Sequence, residues 1–139
     1  MKRLHVQNPN EEIADYMSRA ILFTNPNTSV REAAQLMHEK EVGSLLIKDG
    51  EEFIGIVTET DFTRKAIAKG LNTETATVRD VMTAPLLTIE AQMAPVEANM
   101  FMAKHKIRHL GVVDQGKLVG VLSVRDLVHF YANPRMRSW

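Results

Sequence analysis

The sequence predicts an α/β (α+β) fold built from two similar halves. Each half has the order strand, helix, strand, strand, helix. The first observation is a repeat: identical residues recur sixty-five positions apart, among them Met17 and Met82, Ala33 and Ala98, Leu45 and Leu110, Asp61 and Asp126. The second is that apolar spacing switches, within each half, between a helical period and short strand-like runs. Two copies of one supersecondary unit, packed with pseudo-twofold symmetry, explain both observations.

In the first half, the elements follow from caps, periodicity and turns. Asn27-Thr28-Ser29 offers a cap, and Val30, Ala33 and Met37 recur at helical spacing after it. Lys48-Asp49-Gly50-Glu51 is typical of a hairpin turn between two apolar runs. The predicted elements are a leading helix over 10–17, a strand over 21–23, a helix over 30–40, strands over 45–47 and 53–57, and a helix over 60–68.

The second half repeats this pattern. Pro95 suits the first turn of a helix, and Asp114-Gln115-Gly116-Lys117 is the matching hairpin turn. The predicted elements are a strand over 86–88, a helix from Pro95 through Met102, strands over 110–113 and 118–122, and a helix over 124–132. The domain boundaries expected from this are an N-terminal tail 1–9, a first repeat 10–70, a linker 71–77, a second repeat 78–132 and a C-terminal tail 133–139.

Composition narrows the function classes. The chain has 139 residues with 45% apolar residues, enough for one ordinary globular core. Seventeen basic and seventeen acidic residues balance, so we expect no nucleic-acid partner, which would need a basic field. Cysteine is absent, and no stretch approaches the ~20 apolar residues of a membrane span. We therefore expect a cytoplasmic protein with no membrane partner.

One motif closes the last strand of each half. It reads Gly55-Ile56-Val57-Thr58-Glu59-Thr60-Asp61 in the first copy and Gly120-Val121-Leu122-Ser123-Val124-Arg125-Asp126 in the second. A strand glycine allows close approach of a ligand to the backbone. A hydroxyl at a helix N-terminus lies where amide donors favour a phosphate, and an Asp one turn later can accept hydrogen bonds from ribose hydroxyls. The motif fits a nucleoside phosphate.

A second interpretation of the same residues is structural. Thr58-x-x-Asp61 and Ser123-x-x-Asp126 also match capping boxes, in which the two side chains satisfy helix amides. Recurrence does not separate the two interpretations, because a duplicated unit inherits its caps together with its sites.

Several further motifs carry a family resemblance. They are Asp80-Val81-Met82-Thr83 before the first strand of the second repeat, Ala98 to Met102 in its helix, Lys106-Ile107-Arg108-His109-Leu110-Gly111-Val112-Val113-Asp114 through its turn, and the motif from Gly120 to Asp126, with weaker counterparts in the first copy. In this order the chain resembles a tandem pair of cystathionine beta-synthase (CBS) domains, the Bateman module, over residues 10–131. The resemblance implies an adenosine-containing ligand in the cleft between the repeats, AMP first among them, with ATP, ADP, NAD or S-adenosylmethionine possible.

The resemblance also implies roles for single residues. Asp61 and Asp126 would hold ribose, with Gly55 and Gly120 in the same motif, and Thr58 and Ser123 would face the phosphates. Positive charge would come mainly from Arg108 and His109, with Arg125 as a further candidate, since Gly43 and Ser44 stand at the first two of these positions in copy one. Adenine would contact the first strands near Leu22 and Leu87, with Ile21 and Leu86 beside them; plain core packing explains those four equally well.

We expect neither a metal site nor an enzyme. His105 and His109 are four apart, but the helix is predicted to end near His105, so a shared face is not expected. No nucleophile, adjacent base and orienting group can be picked out together.

Two functions remain open on the sequence. The first is a regulatory module that senses the adenosine ligand and signals, as a homodimer, to an unknown protein partner. The alternative is a structural dimerisation or interaction module with vestigial sites. In either case Phe130 and Tyr131 on the last helix are the expected contributors to the dimer surface.

Overall fold

The computed structural model describes residues 11–132; the predicted tails 1–9 and 133–139 lie outside them. A short 3-10 turn (Ile13–Asp15) opens this part of the chain. The first repeat contains β1 (Phe23–Thr24), α1 (Val30–Lys40), β2 (Ser44–Asp49), β3 (Glu52–Thr58) and α2 (Glu59–Asp61), which runs on as a π-helix (Phe62–Ile67). The remaining elements are α3 (Val78–Val81), β4 (Thr88–Glu90), α4 (Pro95–His105), β5 (His109–Asp114), β6 (Lys117–Ser123) and α5 (Val124–Ala132). The mixed α/β class and the duplicated element order are confirmed.

Each repeat contributes one three-stranded sheet of the same topology. The strand order is β1-β2-β3 in one sheet and β4-β5-β6 in the other. The short first strand runs parallel to the middle strand, which pairs with the third as an antiparallel hairpin. Equivalent residues occupy equivalent registers: Leu46 lies opposite Ile56, and Gly111 lies opposite Val121.

The two long helices begin and end by the expected local chemistry. The Ser29 hydroxyl accepts a hydrogen bond from the Glu32 amide at 3.0 Å, which fixes the start of α1. Pro95 occupies the first turn of α4. Both helices close with a residue in the left-handed conformation, Glu41 (φ 54°) and Lys106 (φ 56°), whose amides bond back into the last turn.

The compact units do not follow the order of the repeats along the chain. One unit is the continuous stretch Leu22–Leu87, and the other combines the described residues up to Ile21 with those from Thr88 to Ala132. The start of the first repeat thus packs with the second repeat's sheet, where Ser18 forms an antiparallel bridge with Val121 through two 2.9 Å hydrogen bonds. In the other unit, Thr83 bridges Ile56 in the same way, at 3.0 and 2.8 Å.

Glycine makes both bridges possible. A Cβ on Gly55 would lie 2.7 Å from the Thr83 carbonyl oxygen, and one on Gly120 would lie 2.7 Å from that of Ser18 and 2.6 Å from the Met17 sulfur. These distances are shorter than any ordinary carbon contact, so only a residue without a side chain fits. Met82 lies beside Gly55, and Met17 lies beside Gly120. The methionines and glycines that recur sixty-five positions apart are therefore in contact in the folded chain.

The core of the unit Leu22–Leu87 combines side chains of the first repeat with side chains of α3, just before the Thr83 bridge. Fully or almost fully buried side chains from α1, β2 and β3 pack with Val78 and Val81 of α3. The predicted linker 71–77 joins the same unit, because the Val30 and Arg31 amides at the start of α1 donate to the Ala76 and Thr73 carbonyls, both at 2.9 Å.

Several sequence predictions need correction. The leading helix expected over 10–17 is only the turn Ile13–Asp15, because the chain next extends to form the Ser18 bridge. The two first strands begin two residues later than predicted, at Phe23 and Thr88. Phe130 is fully buried against Tyr16 (ring centroids 5.4 Å apart), so it belongs to the core of its unit and not to a dimer surface.

None of the helices within residues 11–132 combines the length and the apolar character that crossing a bilayer requires.

The glycine contacts generate a stability prediction. We expect Gly55→Ala and Gly120→Ala each to lower the free energy of unfolding by about 1–3 kcal/mol, because the added carbon collides with backbone that must move. Urea unfolding at equilibrium measures this. Lys117→Ala, at an exposed position of β6, is the control and should stay within about 0.5 kcal/mol of wild type. Alanine variants as stable as this control would contradict the steric argument.

Candidate functional site

The first copy of the motif lies where β3 passes into α2. The Thr58 amide donates to Asp61 Oδ2 at 3.0 Å, and the Asp61 amide donates to Thr58 Oγ1 at 3.3 Å. The Thr58 hydroxyl also reaches Asp61 Oδ2, at 3.2 Å. This reciprocal pair satisfies two backbone donors at the helix N-terminus.

The second copy has the same geometry where β6 passes into α5. The Ser123 amide donates to Asp126 Oδ2 at 2.8 Å, and the Asp126 amide donates to Ser123 Oγ at 3.1 Å. The capping-box interpretation of both motifs is thereby confirmed, while their ligand-binding role stays a prediction.

The two aspartates differ in what occupies the second carboxylate oxygen. Asp61 Oδ1 accepts a hydrogen bond from the Thr83 hydroxyl at 3.1 Å and an ion-paired hydrogen bond from Lys65 Nζ at 2.9 Å. Lys65 Nζ also donates to the Thr83 hydroxyl at 3.2 Å, which closes a three-membered cluster. Asp61 is only 5% exposed. Its carboxylate is enclosed and fully used within its own unit.

Asp126 is more accessible. It is half-buried, and its Oδ1 accepts no hydrogen bond from any residue that the structure describes. Sixty-five positions after Lys65 stands Phe130, an apolar core residue, and Ser18 stands in the place of Thr83. The second copy therefore presents a carboxylate oxygen where the first has a closed ion pair.

The strand pairing brings Arg108 and His109 to the same end of the second sheet. His109 lies opposite Ser123 in the β5–β6 register, and the Arg108 carbonyl accepts a hydrogen bond from the Val124 amide at 3.0 Å. The Arg108 side chain is exposed, and His109 is half-buried. Gly43 makes the corresponding backbone bond to Glu59 in the first copy, at 3.2 Å, without a charged side chain. The predicted charge asymmetry between copies is thus built on equivalent backbone positions.

The remaining predicted site residues occupy mixed environments. Arg125, in the first turn of α5, is exposed and forms no ion pair with any residue in 11–132. Leu22 packs against the core of its unit, and its carbonyl accepts from the Leu46 amide at 3.0 Å. Leu87 is half-buried just before β4.

The motif glycines have a different neighbour from the one the sequence suggested. The sequence predicts that Gly55 and Gly120 let a ligand approach the strand. The space beside each Cα is filled instead by the bridging backbone of Thr83 or Ser18. These glycines therefore determine the position of the bridging segment.

Metal-ligand geometry is not found in residues 11–132, where no three His, Cys, Asp or Glu side chains group together. His105 ends α4, with its ring stacked on Phe101 and its Nδ1 2.9 Å from the Phe101 carbonyl oxygen. His109 begins β5, so the two histidines do not share a helix face.

Comparison with known proteins identifies this architecture. The family model described as "CBS domain" matches twice, over residues 13–68 and 78–133, which together span most of the chain. The chain belongs to the CBS domain family. It is a tandem CBS pair, a kind of module that is regulatory and binds ligands.

Relatives of the CBS pair occur in distant organisms. An uncharacterised protein of Methanopyrus kandleri is 33% identical over 84% of this chain, which spans 60% of that protein's length. The CBS domain-containing protein YhcV of Bacillus subtilis is 32% identical over 83% of this chain and 81% of its own. A solved CBS-domain protein from Burkholderia ambifaria superposes with a TM-score of 0.85 at 34% identity, covering 90% of this chain and 96% of that one.

The different surroundings of the two aspartates predict different costs of removing them. Asp126→Ala should lower the free energy of unfolding by about 1 kcal/mol, the ordinary cost of a lost cap. Asp61→Ala should cost about 2–3 kcal/mol, because it also removes the hydrogen-bond acceptor of Thr83 and Lys65. The loss stays moderate because the Lys65 side chain is 39% exposed and water can solvate its charge. Urea unfolding at neutral pH is the measurement.

Asp80→Ala is the matched control for this comparison. Asp80 closes a third capping box with Thr77 (amide to Oδ2, 2.9 Å) and is exposed, so its loss should match that of Asp126. Equal losses for Asp61 and Asp80 would show that the Lys65–Thr83 cluster adds nothing to stability.

Proposed function

We propose that this CBS pair is a regulatory module that binds an adenosine-containing small molecule and signals the bound state through a homodimer to a protein partner. AMP is the first candidate, and ATP, ADP, NAD and S-adenosylmethionine share the same ribose chemistry. The proposal places the ligand at the Ser123–Asp126 end of the second repeat. Recognition, and not turnover, is the activity proposed for this CBS pair.

The observation that carries the proposal is the second oxygen of Asp126. Asp126 Oδ2 accepts a hydrogen bond from the Ser123 amide at 2.8 Å, which fixes the orientation of the carboxylate. Asp126 is half-buried as a residue, and its Oδ1 remains an acceptor that can take one or both hydroxyls of a ribose. A bound diol would give this oxygen the hydrogen bonds that no described protein group supplies.

The charged residues beside Asp126 support a phosphate on the same ligand. Arg108 and His109 lie at the sheet end that carries Ser123, as the register shows. Arginine offers paired donors to a phosphate, and the first turn of the nine-residue α5 adds its amide dipoles and the exposed Arg125. An acceptor for a diol next to donors for an anion is the combination a nucleotide requires.

The α4–α5 surface supports the dimer. Met100 is 65% exposed and Val128 is 58% exposed, and Tyr131 adds a partly exposed ring. Burying such side chains against a second copy of this chain would remove apolar surface from water. This surface replaces the one containing Phe130.

One observation favours the alternative, a dimerisation or interaction module with vestigial sites. Both motifs already perform a complete structural task as capping boxes. The alternative predicts a dimer without ligand response, so the two experiments below separate the functions.

The ligand prediction is tested by thermal unfolding. AMP, ADP, ATP, NAD and S-adenosylmethionine are each added at millimolar concentration to protein shown by mass spectrometry to carry no nucleotide, with GTP as the non-adenosine comparison. A ligand at about 100 times its dissociation constant adds about 2.7 kcal/mol, which raises the Tm by several degrees. We expect adenosine ligands, and AMP most strongly, to give this shift.

Three variants test which residues the ligand-induced rise in Tm depends on. Asp126→Ala and Arg108→Ala should abolish or greatly reduce the shift. Asp80→Ala loses a similar cap in the other compact unit and should keep the shift. A shift absent with every ligand, or unchanged in Asp126→Ala, would overturn the proposed site.

The dimer prediction is tested by sedimentation velocity. Wild type at tens of micromolar should sediment as a dimer, and Met100→Lys with Val128→Lys should shift it to monomer because exposed charges cannot be buried without partners. Lys104→Ala, an exposed change on the same helix, serves as control. A monomeric wild type would contradict the dimer.

A further inference from the structure

We propose that Lys65 is an internal competitor for the first repeat's ligand carboxylate, so that the CBS pair binds its adenosine ligand in the second repeat alone. This inference rests on the proposed function and adds to it a mechanism that makes the two copies unequal. The residue concerned is one at which the repeats differ, Lys65 against Phe130.

The first step is the occupancy of Asp61. Its Oδ2 receives the Thr58 amide and hydroxyl, and its Oδ1 receives Lys65 Nζ at 2.9 Å and the Thr83 hydroxyl at 3.1 Å. Each carboxylate oxygen thus accepts two hydrogen bonds from the protein. A ribose diol approaching Asp61 finds the acceptor positions filled.

The second step is the energetic comparison between the lysine and a ribose hydroxyl. An ammonium donating to a carboxylate is roughly twice as strong a hydrogen bond as a neutral hydroxyl. The pair is also partly withdrawn from water, since Asp61 has 7% side-chain exposure and Lys65 has 39%. Displacing the ammonium by a diol therefore loses binding energy, and we expect affinity at Asp61 to be at least about tenfold below that at Asp126.

The third step is the local backbone that presents Lys65. Residues Phe62–Ile67 wind as a π-helix, with the Ala68 amide bonded to the Thr63 carbonyl at 2.9 Å, whereas the equivalent stretch of α5 is a regular α-helix. π-turns within helices are often found at functional sites. In the second copy Phe130 turns into the core against Tyr16, so no side chain from that position reaches Asp126.

The consequence is a gain-of-binding variant. Lys65→Met keeps the length and apolar stem of the side chain and removes its charge, which frees one acceptor position on Asp61. Isothermal titration with AMP, and in parallel with ATP, should give one equivalent per chain for wild type. Lys65→Met should give two equivalents, with the affinity at Asp61 raised at least about tenfold above that of the same site in wild type.

Three further variants make the test specific. Lys69→Met carries the same change one turn further on, at an exposed position, and should bind one equivalent. Lys65→Met combined with Asp61→Ala should lose the gained equivalent, while Asp126→Ala in wild type should lose the original one. Lys65→Gln, a neutral donor, should gain less than Lys65→Met and provides the test if the methionine variant does not fold.

Amide NMR spectra identify the repeat that responds. In wild type, AMP should shift the Gly120 and Ser123 amides and leave those of Gly55 and Thr58 in place. In Lys65→Met both pairs should shift.

The failures are distinguishable. Two equivalents of similar affinity in wild type, or one equivalent that remains one in Lys65→Met and Lys65→Gln, would overturn the role of Lys65 and leave the proposed function standing. No binding of AMP, ADP, ATP, NAD or S-adenosylmethionine by wild type or either variant would overturn the proposed function itself.

Discussion

The architecture depends on two places where one backbone segment lies directly against a strand glycine. Ser18 bridges Val121 beside Gly120, and Thr83 bridges Ile56 beside Gly55, each through a pair of hydrogen bonds. Any Cβ at either glycine would prevent the approach. Through these contacts each compact unit combines the sheet of one repeat with the first segment of the other repeat. The bridging segment in turn delivers Thr83 to Asp61.

The site illustrates how one inherited geometry supports two chemical states. Both motifs form the same capping box, so the orientation of the aspartate is settled by helix formation and not by ligand binding. Residues outside the motif determine whether the other carboxylate oxygen, Oδ1, can still accept a hydrogen bond from a ligand. In the first copy these are a hydroxyl and an ammonium, and in the second the corresponding positions hold Ser18 and a buried ring. Duplication preserved the scaffold while the copies diverged around it.

Local signals in the sequence were sufficient for most elements. Ser29 and the helical spacing after it predicted α1 to the residue, and the hairpin turns predicted four strands. The exchange of segments was not predicted, because its hydrogen bonds join residues far apart and no local pattern requires them. The paired identities Met17/Met82 and Gly55/Gly120 were the available signal. The role of Lys65 cannot be predicted from the repeat, because the repeat is recognised by positions that agree and Lys65 is one at which the copies differ.

The segment exchange also affects how the chain reaches its folded state. The unit Leu22–Leu87 is continuous, so all of its strands have left the ribosome before the second sheet exists. The other unit is split, and Ser18 meets Val121, 103 positions further along the chain, only after the segment between them has been closed into a loop. During synthesis, Met17 therefore lacks its contact with Gly120 until β6 emerges. Translation thus imposes an order on two similar halves: the unit Leu22–Leu87 can fold first, and the other is complete only when the segment around Ser18 joins the second sheet.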